Sequence, residues 1–292
     1  MKVVNSLEVI KRGFQTTVQD FGRFGYRKFG VPTSGVMDKK SMIDANKLVG
    51  NPISNPVIEN TLYGGIYRFN DPALLSICGA KCKPKINGKS VPQYESIDVE
   101  KGDELEVDHP SKGCRSYIAI QGMFCLPKVM NSFSTYLPGN FGGLNGRTLQ
   151  VNDTISWKNN VDTTGMMHFP KEEIPYFSSK ITVEIERGLE FYVMDDKAQK
   201  QFHSTSFSVT SQSNRMGIRL SGGNIDLKKV EMISSPVIPG VIQLPPSGNP
   251  IILMNDSQTI GGYPRIGIVK HSELWRLGQV KSGDQIRFKF FE

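Results

Sequence analysis

Gly25-Tyr26-Arg27-Lys28-Phe29-Gly30-Val31 and, near the opposite end, Gly262-Tyr263-Pro264-Arg265-Ile266-Gly267-Ile268 are two versions of one stretch. Gly, Tyr and Gly recur in register, and the positions between them hold Lys or Arg, Phe or Ile, Val or Ile. Each copy follows a polar run, Gln19-Asp20-Phe21-Gly22-Arg23 in the first and Asp256-Ser257-Gln258-Thr259 in the second. A chain that begins and ends alike is expected to fold as two similar halves with a pseudo-symmetric site between them.

Working outward from the two copies, the chain reads as strands. Leu7-Glu8-Val9-Ile10, Glu104-Leu105-Glu106-Val107, Ile181-Thr182-Val183-Glu184-Ile185 and Gln285-Ile286-Arg287-Phe288 are short, β-rich and alternating. Asn87-Gly88, Lys101-Gly102-Asp103 and Ser282-Gly283-Asp284 supply tight turns. Helices are few. Asp38 to Val49 reads as one, with Asp38 as N-cap, an apolar face of Met42, Ala45, Leu48 and Val49, and a stop at Gly50-Asn51-Pro52. Asp195–Phe202 and Ser272–Leu277 read as two more. Periodicity fades between Lys158 and Lys180. The expected division is therefore a first domain over 1–165, a linker over 166–180 and a second domain over 181–292. Many short strands with few helices point to two β-barrels or sandwiches.

Composition narrows the function. With 292 residues, 38% of them hydrophobic and 22% charged, the chain can bury a large core as a globular protein. No apolar run reaches the ~20 residues of a membrane helix. The opening Met1-Lys2-Val3-Val4-Asn5-Ser6-Leu7-Glu8 lacks a signal-peptide core, so a cytoplasmic location is expected. Cys78, Cys82, Cys114 and Cys125 are too few for a disulfide framework, and no His completes a zinc set, so no metal site is expected. His109, His168, His203 and His271 lie far apart and read as surface residues. The net charge of +7 comes from dispersed Lys and Arg with no nucleic-acid motif. It suits an anionic substrate or an acidic protein partner.

Four longer blocks carry the chemistry. The first runs from Gly13 to Asn51 and includes Gln19, Arg23, Ser34 and Asp38. The second is Gly142-Gly143-Leu144-Asn145-Gly146-Arg147, and the third Ser213-Asn214-Arg215-Met216-Gly217-Ile218-Arg219-Leu220. The fourth runs from Pro239 through Gln243 to Gln258-Thr259-Ile260-Gly261-Gly262-Tyr263-Pro264-Arg265. In order and spacing they closely resemble the family of the 5-oxoprolinase C subunit, also known as KipA, allophanate hydrolase subunit 2 or the biotin-dependent carboxyltransferase domain of urea carboxylase. The resemblance covers about Leu7 to Phe288. Where many relatives open the second half with Gly-Pro-Gln, this chain has Gly188-Leu189-Glu190.

The resemblance implies a mainly β fold of two tandem cyclophilin-like β-barrels with a few short helices, and a site between them. It implies one component of a bacterial ATP-dependent 5-oxoprolinase that opens the 5-oxoproline lactam to glutamate. The partners would be the KipI-like B subunit and the A subunit of that enzyme, with no nucleic acid and no membrane. ATP would be used by the assembly and not necessarily bound by this chain. Two other readings stand beside it. One is biotin-dependent carboxyl transfer to urea or a related amide. The chain has no Met-Lys-Met attachment site, so biotin would have to come from a partner. The other is a KipA-like regulator that binds a KipI-like kinase inhibitor.

Each candidate side chain has a structural and a chemical reading. Asp38 either caps its helix or serves as acceptor and general base. Ser34 is a turn residue or a donor to substrate. Arg215 forms an ion pair or binds a carboxylate bidentately. Gln258 and Thr259 form a polar turn or aim an amide and a hydroxyl at a carbonyl, with Gly261 and Gly262 allowing close approach beside Tyr263. Gln19 and Arg23 would be the counterparts from the first half. Asp38, Arg215 and Gln258 are the catalytic candidates, and the others the substrate-binding ones. The Gly139–Gly146 stretch lacks the Gly-Lys-Ser/Thr ending of a P-loop and reads as a loop of small turns.

Overall fold

The computed structural model describes residues 4–159, 168–228 and 232–291. The chain divides into two units, one of residues 1–23 and 34–177, the other of residues 24–33 and 178–292. The expectation of a mainly β chain with few short helices holds. Among the described residues the α-helices are Lys39–Leu48 (α1), Asp196–Ser204 (α2) and Leu274–Leu277 (α3). None is long and apolar enough to cross a membrane.

The first unit pairs its strands into a seven-stranded and a five-stranded sheet. Asn5–Arg12 lies inside the larger sheet, between Thr154–Lys158 and Gly65–Phe69. Its alternation works as written: Leu7 and Val9 are buried while Glu8 and Ile10 are not. They join a core with Phe69, Leu75, Ile118 and Trp157, where Phe69 and Trp157 meet edge to face at 6.3 Å. Helix α1 lays Met42, Ala45 and Leu48 into a second cluster with Cys78, Tyr117 and Ala119. It starts where Asp38 accepts from the Ser41 amide at 3.0 Å and from the Ser41 hydroxyl at 2.6 Å. It stops at Gly50, whose φ of 70° suits glycine.

The second unit is a closed seven-stranded barrel. The strands run in spatial order Lys180–Arg187, Arg265–Val269, Val241–Gln243, Ile251–Leu253, Gly217–Ser221, Phe207–Val209 and Gln285–Phe290. Closure is made by the parallel pairing of Lys180–Arg187 with Gln285–Phe290. Inward residues Ile185, Ile218, Leu220, Ile242, Ile252 and Ile286 are all buried. Helix α2, capped by Asp195 on the Ala198 amide at 2.8 Å, sends Phe202 against Phe207 and Phe288.

Two points of the expected division change. Residues 24–33, expected in the first domain, group with the second unit. The physical anchor is Arg27, whose Nη2 donates to the carbonyl oxygens of Val237 and, at 3.2 Å, Gln258. The expected linker begins at 166 and 167, which lie outside the described residues. From 168 to 177 it packs on the first unit, because it carries apolar side chains that need cover. Phe169 meets Tyr94 edge to face at 6.4 Å, Ile174 joins the α1 cluster, and Phe177 is buried.

Candidate functional site

In the first unit, Gln19 and Arg23 act on one loop. Gln19 donates through Nε2 to Thr17 Oγ1 at 3.0 Å and to the Thr135 carbonyl at 3.1 Å. Arg23 is buried, donates to the Ser134 carbonyl and stacks over Phe141, with its guanidinium carbon 4.8 Å from the ring centre. Between them, Asp20 accepts from Gly22 N, Phe133 N, Ser132 Oγ and Ser134 Oγ. A carboxylate with four donors is a clamp, and it holds Ser132–Ser134 in place. Ser34 is buried at a φ of 54°, and Gln19 Oε1 and Ser34 Oγ find no hydrogen-bond partner among the described residues. Asp38 is fully buried as the α1 cap, and its own amide donates to Tyr117 Oη at 2.8 Å.

The Gly139–Gly146 loop does not fit a phosphate cradle. A Cβ at Gly142 would meet the Ser134 carbonyl oxygen at 2.0 Å, and one at Gly143 the Thr135 hydroxyl at 2.0 Å. These glycines are spent on packing against the protein's own chain.

The second unit holds an open cavity of about 630 Å³ on the outer face of its barrel. Three members of one cross-strand row, Arg219, Ile251 and Gln243, form part of its wall. Arg219 faces Ile251, Ile251 faces Gln243, and Gln243 faces Arg265 across four neighbouring strands. Paired residues project from the same face, so these side chains stand side by side. Of the predicted residues, Gln258 and Tyr263 line this cavity and meet Gln243 there. Gln258 Nε2 donates to Gln243 Oε1 at 3.4 Å, and Gln243 Nε2 donates to the Tyr263 carbonyl at 3.4 Å. Both bonds are long, so the Gln243 carboxamide, 1% exposed, retains bonding capacity. Gly261 is what lets it fit: a Cβ there would lie 2.6 Å from Gln243 Nε2.

Tyr263 also lines a second cavity of about 860 Å³, together with Gly262, Leu244 and Ile225. Thr259 holds its turn through the backbone, its carbonyl accepting from the Val237 amide at 3.0 Å. Arg215 does not line the 630 Å³ cavity. It is buried and paired with Asp256, Nε to Oδ2 at 2.8 Å and Nη2 to Oδ1 at 3.1 Å. Its ion-pair reading is the one the geometry supports, but the pair is buried rather than superficial.

Glu190, in the turn that departs from the Gly-Pro-Gln pattern, grips Arg265 with bonds of 2.7 and 2.6 Å. Those bonds hold its carboxyl below the ordinary carboxylate range. Arg265 Nη1 then donates to the Pro236 carbonyl at 3.1 Å. Arg27 takes the next carbonyl, that of Val237, and partial burial pushes its guanidinium pKa down. Each copy of the repeated stretch thus places an arginine on the same short segment of the second unit.

Sequence reasoning missed Gln243, Arg219 and Glu190. Gln243 carried a signal, a carboxamide inside the apolar run Val241-Ile242-Gln243-Leu244. Arg219 sat in plain alternation in Ile218-Arg219-Leu220 and read as an ordinary solvent-facing strand position.

With this geometry in place, similarity to known proteins decides the family. The carboxyltransferase domain family, subdomains A and B, matches residues 29–290. The chain belongs to that family. It is 35% identical over 289 residues to the 5-oxoprolinase C subunit of Escherichia coli (strain K12), covering 97% of this chain and 90% of that protein. It is 31% identical over 304 residues to the urea amidolyase of Saccharomyces cerevisiae, covering 97% of this chain but 16% of that protein. The crystal structure of the Kluyveromyces lactis urea carboxylase superposes with a TM-score of 0.91 at 30% identity, over 98% of this chain and 27% of that one. The carboxyltransferase family therefore includes both stand-alone subunits and segments of much longer enzymes.

Proposed function

We propose that this chain is the lactam-binding component of an ATP-dependent 5-oxoprolinase assembly, working with the KipI-like B subunit and the A subunit of that enzyme. The observation that carries this reading is the Gln243–Gln258 carboxamide pair on the barrel cavity. Similarity to a 5-oxoprolinase C subunit along nearly the full length of both chains supports it. A lactam presents one carbonyl acceptor and one N–H donor, and a pair of carboxamides offers the matching donor and acceptor.

The lactam is resonance-stabilised, so opening it needs activation, which ATP would supply within the assembly. On this chain, Gln243 and Gln258 orient the ring and hold its carbonyl. Tyr263 and the Pro245–Pro246 wall close one side of the cavity. Fixed amide dipoles of this kind need no reorganisation as charge develops on the carbonyl oxygen. Asp38, buried under its cap bonds, serves the first unit as a structural residue in this scheme.

The test is co-expression with the two partner subunits and an assay of glutamate release from 5-oxoproline with and without ATP. The assembly should release glutamate only with ATP, and Gln258→Ala should lower the rate at least ~10-fold. Lactam opening by this chain alone would contradict the proposal that it works only within an assembly.

A second reading is favoured by the family itself and by the urea carboxylase superposition: carboxyl transfer to a neutral amide, with biotin brought by a partner. It predicts urea-dependent and biotin-dependent turnover in place of glutamate release. A tight complex with the KipI-like partner but neither activity would instead favour the regulatory role.

A further inference from the structure

We propose that Arg219 selects a carboxylated amide over a neutral one in the barrel cavity, as the residue that receives the substrate's carboxylate. This rests on reading that cavity as the substrate site and names what the site would accept.

Among the described residues, Arg219 is the one charged residue that lines the cavity. The polar lining otherwise consists of hydroxyls and of the carboxamides of Gln212, Asn214, Gln243, Asn249 and Gln258. No carboxylate among the described lining residues is there to neutralise it. Its backbone is committed, the amide donating to Ser213 Oγ at 3.0 Å and the carbonyl accepting from Thr210 N at 2.9 Å. The strand is thus fixed while the guanidinium remains available. The other arginines near the second repeat copy are occupied: Arg215 by Asp256, Arg265 by Glu190, and Arg27 by the carbonyls of Val237 and Gln258.

Spacing supports the assignment. Arg219 and Gln243 are two strands apart in one cross-strand row, about 10 Å between backbones, with the Ile251 side chain between them. A small ring bearing one carboxyl group would bridge that gap between the two side-chain ends. Ile251 gives the ring an apolar floor, and Gly217 lets the Ile251 side chain lie close over the strand, where a Cβ would meet its Cγ2 at 3.1 Å. Thr210 Oγ1 and Asn249 Oδ1, both buried and both on residues lining this cavity, have no hydrogen-bond partner among the described residues. A ligand with a carboxylate at one end and an amide at the other would meet Arg219 and Gln243 together. Urea, lacking a carboxylate, would leave Arg219 unused.

The experiment is calorimetric titration of the assembly containing the full chain with three probes: 5-oxoproline, the uncharged lactam 2-pyrrolidinone, and urea. Wild type, Arg219→Gln, Arg219→Lys and Gln243→Leu are compared, with thermal melts as a fold control. The expected result is that 5-oxoproline binds most tightly. Arg219→Gln should weaken it about 10- to 100-fold, the loss of a charge-assisted hydrogen bond, and leave 2-pyrrolidinone unchanged. Arg219→Lys should recover part of the loss, since a lysine keeps the charge but not the fork. If Gln243→Leu abolishes binding while Arg219→Gln leaves 5-oxoproline affinity unchanged, the cavity stands and the role of Arg219 is overturned. If neither variant alters binding, or no probe binds wild type, the reading of the cavity falls and this inference falls with it.

Discussion

Arg27 donates to the carbonyl oxygen of Gln258 at 3.2 Å across 231 positions of sequence. The same nitrogen also reaches the Val237 carbonyl. One guanidinium therefore ties the segment at Val237 to the turn at Gln258 just ahead of the second repeat copy, and helps to set the position of Gln258. Arg27→Ala should cost on the order of 1–2 kcal/mol of stability, measured by denaturant unfolding, because two carbonyls lose a cationic donor. It should also weaken lactam binding, although Arg27 does not line the cavity. Unchanged affinity in a folded Arg27→Ala protein would show that Gln258 is held by other contacts.

Arg215 and Asp256 form a buried bidentate pair. Removing one member leaves the other charge buried and uncompensated, so Arg215→Met or Asp256→Asn should each cost about 3–5 kcal/mol. The double variant should cost less than the sum of the two, which a double-mutant cycle reads directly. Additive losses would mean that the two side chains do not act as a pair.

The Glu190–Arg265 pair makes acid sensitivity predictable. Arg265 holds the Glu190 carboxyl below its unfolded value of 4.5. The folded state therefore gains from this group above about pH 4.5, and the gain disappears as pH falls through the lowered folded value. Glu190→Gln should be less stable than wild type at pH 7, and the gap between the two should shrink steadily as pH falls below about 4.5. A gap of constant size from pH 7 to pH 3 would contradict the assignment.

Gly261 separates fold from binding. An alanine methyl at this position would press on Gln243 Nε2, the end of a side chain rather than backbone. Gly261→Ala should therefore melt close to wild type but bind 5-oxoproline at least ~10-fold more weakly, as the displaced carboxamide loses its alignment. A large drop in melting temperature with intact affinity would make the glycine purely structural.

How much of this the sequence disclosed differs between fold and site. Alternation in Leu7-Glu8-Val9 and in Ile181-Thr182-Val183 marked real strands, because the pleat enforces a period of two. Asp38 and Gly50 marked the ends of α1, because caps act locally. The allocation of 24–33 to the second unit was hidden, since it depends on Arg27 meeting carbonyls more than two hundred positions away. Gln258 and Tyr263, singled out by their motif, line the cavity. Gln243 and Arg219 were not, because only strand pairing places them in one row with Ile251. Arg215 was drawn toward the site by its residue type, and its partner Asp256 sits in the polar run ahead of the second repeat copy, where no local pattern links the two.

The central claim is that the outer face of the second barrel, between Arg219 and the Gln243–Gln258 pair, holds a carboxylated lactam. The most direct measurement is a crystal structure of the protein grown with saturating 5-oxoproline. The account predicts the ring over Ile251, its carboxylate on Arg219 and its amide group on Gln243. A ligand bound elsewhere, or this cavity left without it under those conditions, would contradict it.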